Sequence, residues 1–182
     1  MPTLEVRRHS HRKTDGGSQL SQFGVSFARE IGDTMGAFSS VVTSVVPRTR
    51  ETAIALGFAV DQELITLAPE EVYAELQAID WTREPNPFTL AANLIRANGA
   101  YARYAHALAA RWRDILTPLT EDERALFIGH SGELEAALVA CFPNADHRSW
   151  GQPFGPLEGA RLTFSGEPAY FSEVEVLRLP NI

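Results

Sequence analysis

Residues 39–46 read SSVVTSVV and contain four valines, one threonine and no charged side chain. β-branched residues favour extended backbone, and a run without polar alternation is typical of a strand that is covered on both faces. The next residues, 49–56, predict a short helix that ends at Gly57, because glycine commonly terminates helices. A fully covered strand followed directly by a helix is the repeating unit of a parallel sheet, so this segment predicts an α/β fold.

Predicted strands and helices alternate on both sides of this segment. Alternating apolar residues or short apolar runs predict further strands at 3–8, 125–128, 161–164 and 174–179. Apolar residues at helical spacing predict helices that begin after Ser21 and that cover 69–79, 100–116 and 133–142. We therefore expect a three-layer α/β/α sandwich around a mostly parallel central sheet.

The chain length and composition bound the organisation of the protein. A length of 182 residues leaves room for one domain with a sizeable core. We expect a single domain over residues 1–182, with a lid or substrate-binding insertion at about 81–99. The hydrophobic share of 45% and the charged share of 21% exclude a disordered, collagen-like or coiled-coil chain. The single cysteine, Cys141, excludes an internal disulfide and a multi-cysteine zinc site.

Hydropathy and charge constrain the location and the partners. No apolar run approaches the roughly 18 residues that a membrane span needs. The first residues also lack the pattern of a signal peptide, so we expect a cytoplasmic protein. The net charge of −7 and the pI near 5.2 argue against nucleic acid or an anionic membrane as the main partner.

A local basic segment contrasts with this acidic composition. Arg7, Arg8, Arg12 and Lys13 lie within seven residues that also contain two histidines. Such a segment is either a solvated charged surface or the binding site of a small anionic ligand. Composition alone leaves both interpretations open.

Three of the predicted strands end in residues that suit phosphate chemistry. Arg8 and His9 follow the first strand, Arg48 follows the second, and His130 follows the third. Because the carboxyl ends of neighbouring parallel strands meet at one edge of the sheet, we expect these four side chains to share a pocket. Arginines donate bidentate hydrogen bonds to phosphate oxygens, and a neutral histidine can attack phosphorus as a nucleophile. The residues therefore predict a phosphoryl-transfer site that needs no metal.

Four segments resemble, in order along the chain, motifs of the histidine phosphatase superfamily, the phosphoglycerate mutase-like proteins. They are VRRHS at 6–10, QLSQFG at 19–24, SVVPRTRETA at 44–53 and FIGHSG at 127–132. The first is similar to the family's Arg-His-Gly signature, and the last is similar to its strand ending in Ser-His-Gly-Gly. This chain departs from the motifs in two ways, because Ser10 replaces the glycine and Pro47 directly precedes Arg48. The resemblance implies a phosphoglycerate mutase-like fold.

The resemblance also implies a role for each matching residue. His9 would be the phosphorylated nucleophile, Arg8 and Arg48 would clamp the phosphate, and His130 would be the partner histidine that contacts the phosphoryl group. Arg12 is a further candidate phosphate contact. The predicted activity is that of a metal-independent phosphatase that hydrolyses phosphomonoesters through a phospho-histidine on His9. Its partner is a small phosphorylated substrate, and we expect no cofactor, nucleic acid or membrane.

A proton donor is a further requirement of the predicted reaction. An alcohol leaving group must be protonated, so we expect a carboxylic acid with a raised pKa beside the phosphate. Glu75 is the first candidate, because it follows Arg48 at about the interval at which the mutase-like branch keeps its acid/base glutamate. Glu133 and Glu71 are the alternatives. Without a suitable carboxylic acid, the chain would resemble the small phospho-histidine phosphatases, whose imidazole leaving group needs less acid help.

Three other functions stay open. A mutase would transfer the phosphoryl group, but it usually carries a longer basic insertion, whereas residues 81–99 are largely apolar and favour a hydrolase. A metallohydrolase could use His9 and His11 as paired metal ligands, completed by His130 and Glu133. The third alternative is a non-catalytic binder of phosphorylated ligands on the same fold, which the altered motif glycine permits.

Overall fold

The computed structural model describes residues 1–79, 84–166 and 170–180 and contains six strands and six α-helices in those ranges. The strands are β1 (Thr3–Arg8), β2 (Ser40–Ser44), β3 (Gln62–Leu64), β4 (Arg124–Gly129), β5 (Gly159–Ser165) and β6 (Tyr170–Leu177). The helices are α1 (Gln22–Gly32), α2 (Pro47–Ala55), α3 (Glu70–Gln77), α4 (Pro87–Arg96), α5 (Ala100–Leu116) and α6 (Glu133–Cys141). None of these described helices is both long enough and apolar enough to cross a membrane.

The six strands form one sheet in the order β3-β2-β4-β1-β5-β6. β1 to β4 are parallel, and β5 and β6 add an antiparallel edge. The register sets Arg8 opposite Gly129 across β1 and β4, and it sets Thr43 opposite Ile128 across β2 and β4. The carboxyl ends of these three central strands are therefore nearly level. The loops that follow them meet at one edge of the sheet, which is where open α/β sheets bind ligands.

Helices cover both faces of the sheet, and the side chains of β4 alternate between the two layers. Leu126 and Ile128 pack with residues of α1 and α2, including Ala53. Phe127 packs on the opposite face with residues of α4, α5 and α6, including Trp112. Successive side chains of a strand point to opposite faces, so a strand buried on both sides must be apolar throughout. The predicted three-layer α/β/α sandwich with a mostly parallel sheet is confirmed.

The sequence patterns do not predict β3 or α4. β3 has only three residues, two of them exposed, which is too short for a recognisable apolar pattern. α4 is capped by the Asn86 side chain and packs Phe88 into the core, although it lies inside the predicted insertion at 81–99. Residues 81–83 of that insertion lie outside the described residues, so the insertion itself stays a prediction.

Glu5 lies in the middle of β1, is only 1% exposed and forms ion pairs with three arginines. Its carboxylate lies 2.8 Å from Arg7, 3.2 Å from Arg124 and 3.0 Å from Arg161. These contacts join β1 to its neighbours β4 and β5. Arg7, although part of the basic segment, therefore stabilises the sheet and does not contribute to a ligand site.

We expect Glu5→Ala to lower the free energy of unfolding by about 3 kcal/mol, because it leaves a buried Arg7 guanidinium without its counterion. Glu175→Ala is a matched control, since Glu175 is an exposed partner that lies 2.7 Å from the same Arg161. Its expected loss is below about 1 kcal/mol. Urea unfolding followed by tryptophan fluorescence measures both values. Equal losses for the two variants would contradict the importance of the buried carboxylate.

Candidate active site

His9 and His130 directly follow the neighbouring strands β1 and β4, and the level strand ends bring them together. The backbone N–H of His9 donates to the carbonyl oxygen of Gly129 at 3.0 Å, which extends the strand pairing into the loop. The two imidazole rings lie edge to face, with centroids 5.3 Å apart. Arg48 lies in the first turn of α2, and its Nη2 is 3.1 Å from Nδ1 of His130. Three side chains that the sequence predicts to converge therefore do so.

These three side chains line a cavity of about 360 Å³, called here the anion pocket. Its other lining residues are Arg8, Ser10, His11, Arg12, Ser131 and Pro156. The lining contains three arginines and three histidines and, within the described part of the chain, no carboxylate. A concave site with this charge suits a small anion that carries more than one negative charge.

His9 is buried and keeps one ring nitrogen free of backbone contacts. Its Nδ1 lies 2.7 Å from the carbonyl oxygen of Ser10, which can only accept, so Nδ1 carries the hydrogen and Nε2 keeps its lone pair. Burial and the nearby guanidinium groups, Arg48 foremost, lower the pKa of His9 to about 4, against the opposing effect of the Ser10 bond. The imidazole is therefore neutral at neutral pH, as a nucleophile must be.

His130 is held between Arg48 and Ser44. Because Arg48 can only donate, Nδ1 of His130 accepts from Nη2, and the protonated Nε2 donates to Ser44 Oγ at 3.1 Å. Burial, followed by the charge of Arg48, lowers the pKa of His130 to about 3. Ser44 is a residue of the site that sequence reasoning missed, although it opens the motif segment 44–53. His9 and His130 are thus both neutral at neutral pH.

Arg8 and Arg48 carry hydrogen-bond donors that the protein leaves unused. Nη1 of Arg8 donates to the carbonyl oxygen of Phe154 at 2.7 Å. The Nε atom of each arginine is buried and has no hydrogen-bond partner among the described residues. Burial lowers the pKa of both guanidinium groups, but arginine remains charged in proteins. Both guanidinium groups line the anion pocket, so their positive charges would stabilise a bound anion.

Ser10 is fully buried and joins the loop after β1 to two helices. Its hydroxyl donates to the carbonyl oxygen of Gly24 in α1 at 2.7 Å, and its backbone N–H donates to Thr52 Oγ1 in α2 at 3.0 Å. The Thr52 hydroxyl in turn donates to the carbonyl oxygen of Arg48 at 2.7 Å. The serine that replaces the motif glycine is therefore accommodated, and it links the His9 loop to the helix that carries Arg48.

His11 and Arg12 complete the wall of the anion pocket. The His11 ring packs against the rings of Phe23 and Phe27, with centroid distances of 4.9 and 5.5 Å. The Arg12 guanidinium is close enough to the pocket to contribute to the lowered pKa of His9. In the ranges that the structure describes, no three His, Cys, Asp or Glu side chains are grouped so as to hold a metal ion.

Glu75, the first candidate for the proton donor, has a different position from the one expected. Its carboxylate accepts hydrogen bonds from the backbone N–H groups of Ala100 and Tyr101, so it caps the start of α5. These bonds hold the pKa of Glu75 below its usual range, which leaves it ionised at neutral pH. It is not among the residues that line the anion pocket, and neither is the exposed Glu71. The interval from Arg48 therefore does not identify a suitable acid.

Glu133, an alternative candidate, has the properties that a proton donor needs. It is the first residue of α6 and is only 6% exposed. Its Oε2 accepts from the Thr66 hydroxyl at 3.0 Å, whereas its Oε1 is buried without a partner among the described residues. Burial raises the pKa of Glu133 to about 8, against the Thr66 bond and with a further contribution from Glu135. Glu133 lines a second cavity that adjoins the anion pocket and shares His130 with it.

Comparisons with known proteins identify the fold. No family model matches the chain, and no curated protein matches its sequence. Among solved structures, it is similar to phosphoserine phosphatase from Entamoeba histolytica in complex with 3-phosphoglyceric acid, with a TM-score of 0.66, 15% identity and 98% of each chain covered. It is also similar to mycobacterial glucosyl-3-phosphoglycerate phosphatase, with a TM-score of 0.63, 15% identity and coverage of 96% of this chain and 97% of that one.

The mycobacterial phosphatase was also solved in complex with VO3. That structure matches with a TM-score of 0.61 and 18% identity over 96% of this chain and 98% of that one. Similarity over nearly the whole length at such low identity establishes a shared fold. The chain therefore has the phosphoglycerate mutase-like fold that its motifs predict.

Proposed function

We propose that this protein is a metal-independent phosphatase that hydrolyses small phosphomonoesters through a phospho-histidine on His9. The observation that carries the proposal is the anion pocket, where a neutral His9 with a free Nε2 lies beside three arginines. Those charges suit the phosphate dianion and the charge that spreads over its oxygens during transfer. The shared fold supports the proposal, because the similar structures include a phosphoserine phosphatase and a glucosyl-3-phosphoglycerate phosphatase.

The first step forms the covalent intermediate. The lone pair on Nε2 of His9 attacks phosphorus, and the bond between phosphorus and the ester oxygen breaks. The hydrogen bond from Nδ1 to the Ser10 carbonyl orients the ring and stabilises the positive charge that it gains. The arginines Arg8, Arg12 and Arg48 balance the charge on the nonbridging oxygens.

The second step returns the enzyme to its starting state. A water molecule attacks the phosphoryl group, the bond between phosphorus and Nε2 breaks, and inorganic phosphate leaves. The attacking water loses one proton, which the carboxylate that acted as the acid in the first step takes up. His9 recovers its lone pair, and the cycle consumes one ester and one water and releases one alcohol and one phosphate.

Glu133 is the proton donor in this proposal, in place of Glu75. Only a carboxyl group that is protonated at neutral pH can give a proton to a departing alkoxide, and burial keeps Glu133 in that form. Its Oε1 is buried and makes no hydrogen bond within the described chain, so no described protein group competes for the proton. The cavity that Glu133 lines opens beside His130, which is where the alcohol would depart.

Hydrolysis is favoured over transfer to a second substrate hydroxyl, and over metal-dependent chemistry. A mutase must bind a polar acceptor beside the phospho-histidine, whereas the adjoining cavity is mostly apolar. Three arginines in the anion pocket would repel a metal cation held by His9 and His11. The anion pocket therefore suits an anionic group. Water is then the available acceptor of the phosphoryl group from the phospho-histidine.

The proposal is tested by the hydrolysis of an alkyl or aryl phosphate by the purified protein. We expect steady release of inorganic phosphate that a chelator does not change and that vanadate inhibits, since vanadate can adopt the geometry of the transition state. Rapid quenching with a ³²P-labelled ester should trap a protein-bound phosphate that is stable in base and labile in acid, as a phospho-histidine is. Activity that a chelator removes and zinc restores would instead indicate a metallohydrolase, and ester binding without turnover would indicate a binder.

A further inference from the structure

The second cavity, called here the apolar cavity, adjoins the anion pocket and has a volume of about 460 Å³. It shares Arg48, His130 and Ser131 with the anion pocket, so a ligand held by its phosphate would extend into it. The apolar part of its lining comes mainly from α3, α4 and the segment before α3, and it includes Leu67, Val72, Leu76, Leu90, Ala91 and Leu94. Its volume is in the range of known small-molecule sites.

Several polar side chains of the apolar cavity are hydrogen-bonded to other protein groups. The Thr66 hydroxyl donates to Glu133, and the Tyr104 hydroxyl donates to the carbonyl oxygen of Thr66 at 2.7 Å. Glu135 accepts from the Ser131 hydroxyl at 3.0 Å. These hydrogen bonds would compete with any that the same groups could make to the hydroxyl groups of a sugar or a glycerol.

The charge of the lining also discriminates between ligands. Arg48 is the only cation among the described lining residues of the apolar cavity, and it belongs equally to the anion pocket. The described lining also contains two carboxyl groups, those of Glu133 and Glu135. Among the described residues, a ligand carboxylate in this cavity would have no counterion of its own, and burying an unpaired charge is strongly unfavourable.

The rim of the apolar cavity is apolar as well. Leu67 and Tyr73 line it and are 56% and 52% exposed, and the neighbouring Ile65 is 69% exposed. Leu67 and Tyr73 therefore extend the apolar lining of the cavity to the protein surface.

We propose that the substrate is a phosphomonoester of an uncharged, predominantly apolar alcohol or phenol, whose organic group occupies the apolar cavity. The inference rests on the proposed function for the phosphate end of the ligand. It separates this protein from phosphatases that act on carboxylate-bearing esters such as phosphoserine. Apolar contact with the cavity and the absence of a partner for a carboxylate among its described lining residues both favour the same class of substrate.

Binding of phosphonates tests the inference without turnover, because the bond between carbon and phosphorus is not hydrolysed. Calorimetry would compare 2-phenylethylphosphonate with 3-phosphonopropionate, which differ in the group that enters the apolar cavity. We expect the phenyl compound to bind about 100-fold more tightly, since the carboxylate would be buried without a partner. Similar affinities, a preference for the carboxylate, or no binding of either compound would overturn the inference.

A substitution on α4 tests the location. Leu94→Arg supplies a cation to the apolar cavity. We expect it to weaken the binding of 2-phenylethylphosphonate and to strengthen the binding of 3-phosphonopropionate, each by about 10-fold or more. Asn93→Arg is the matched control, because Asn93 is exposed on the same helix and does not line the cavity. Unchanged selectivity in Leu94→Arg would overturn the proposed site, and vanadate binding and thermal unfolding verify that its fold is intact.

The two proposals fail in different ways. Selective phosphonate binding by a protein that releases no phosphate from 2-phenylethyl phosphate would contradict the phosphatase but support the apolar site. Rapid hydrolysis of phosphoserine, with 2-phenylethyl phosphate a poor substrate, would support the phosphatase but contradict the apolar substrate class. Both esters are alkyl phosphates, so the comparison is not biased by an acidic leaving group.

Discussion

His9→Ala is expected to lower kcat by roughly 10⁴-fold or more, because it removes the atom that forms the covalent bond to phosphorus. The anion pocket of the variant keeps three arginines and His130, so the affinity for vanadate or a phosphonate should persist. The combination of lost turnover and retained binding distinguishes a nucleophile from a residue that only holds the ligand. Initial rates and calorimetry on the same preparation measure the two properties.

Two further histidine variants make this result specific. His106→Ala alters an exposed histidine of α5 and should leave turnover unchanged. His11→Ala separates the phosphatase from the metallohydrolase alternative, in which His9 and His11 would be equivalent metal ligands. An equal loss in His9→Ala and His11→Ala would contradict the nucleophilic role, whereas a loss confined to His9→Ala supports it.

Glu133→Gln should lower kcat for alkyl phosphates by about 10²–10³-fold, because glutamine cannot protonate the departing alkoxide. The same variant should hydrolyse 4-nitrophenyl phosphate at nearly the normal rate, since the acidic phenol leaves without a proton. Glu75→Gln is the matched control, and it should weaken the cap of α5 without this dependence on the leaving group. A loss of alkyl phosphate turnover in Glu75→Gln, without a loss in Glu133→Gln, would instead indicate that Glu75 is the proton donor.

The pH dependence of kcat/KM provides a second test of Glu133. His9 is active when it is neutral, so activity should fall as the pH decreases through its pKa of about 4. Glu133 is active when it is protonated, so activity with alkyl phosphates should fall as the pH increases through its pKa of about 8. Glu133→Gln should remove the basic limb and keep the acidic one. A basic limb that persists in the variant would assign that ionisation to another group.

The fold and the anion pocket could be predicted because strong local signals determine them. A charge-free, valine-rich β2 and the apolar β4 can only be buried between two layers, which sets the class of fold. The convergence of Arg8, His9, Arg48 and His130 follows from parallel strands with level ends. Successive side chains of β1 point to opposite faces of the sheet. This explains why Arg7 pairs with Glu5 on one face while Arg8 contributes to the anion pocket.

The sequence could not rank Glu75 against Glu133 as candidate proton donors, because the burial of each carboxyl group is what distinguishes them. Glu75 and Glu133 both occupy helix segments in which a glutamate is ordinary, and spacing along the chain cannot tell which one is desolvated. Only the packing around α6 and Thr66 separates a carboxyl group with a raised pKa from one that caps a helix. Ser44 and the apolar cavity were missed for the same reason, since both depend on contacts between distant segments.

The hydroxyl of Thr52, which joins Ser10 to Arg48, has a consequence for how such a protein can diversify. These hydrogen bonds hold in place the part of the site that would bind the phosphoryl group. Its side chains therefore need little further ordering when a ligand binds. The wall that would meet the organic group belongs to other elements, α3 and α4, which do not take part in that bridge. Mutations in α3 and α4 can therefore change substrate selectivity without altering the residues that would act on the phosphate.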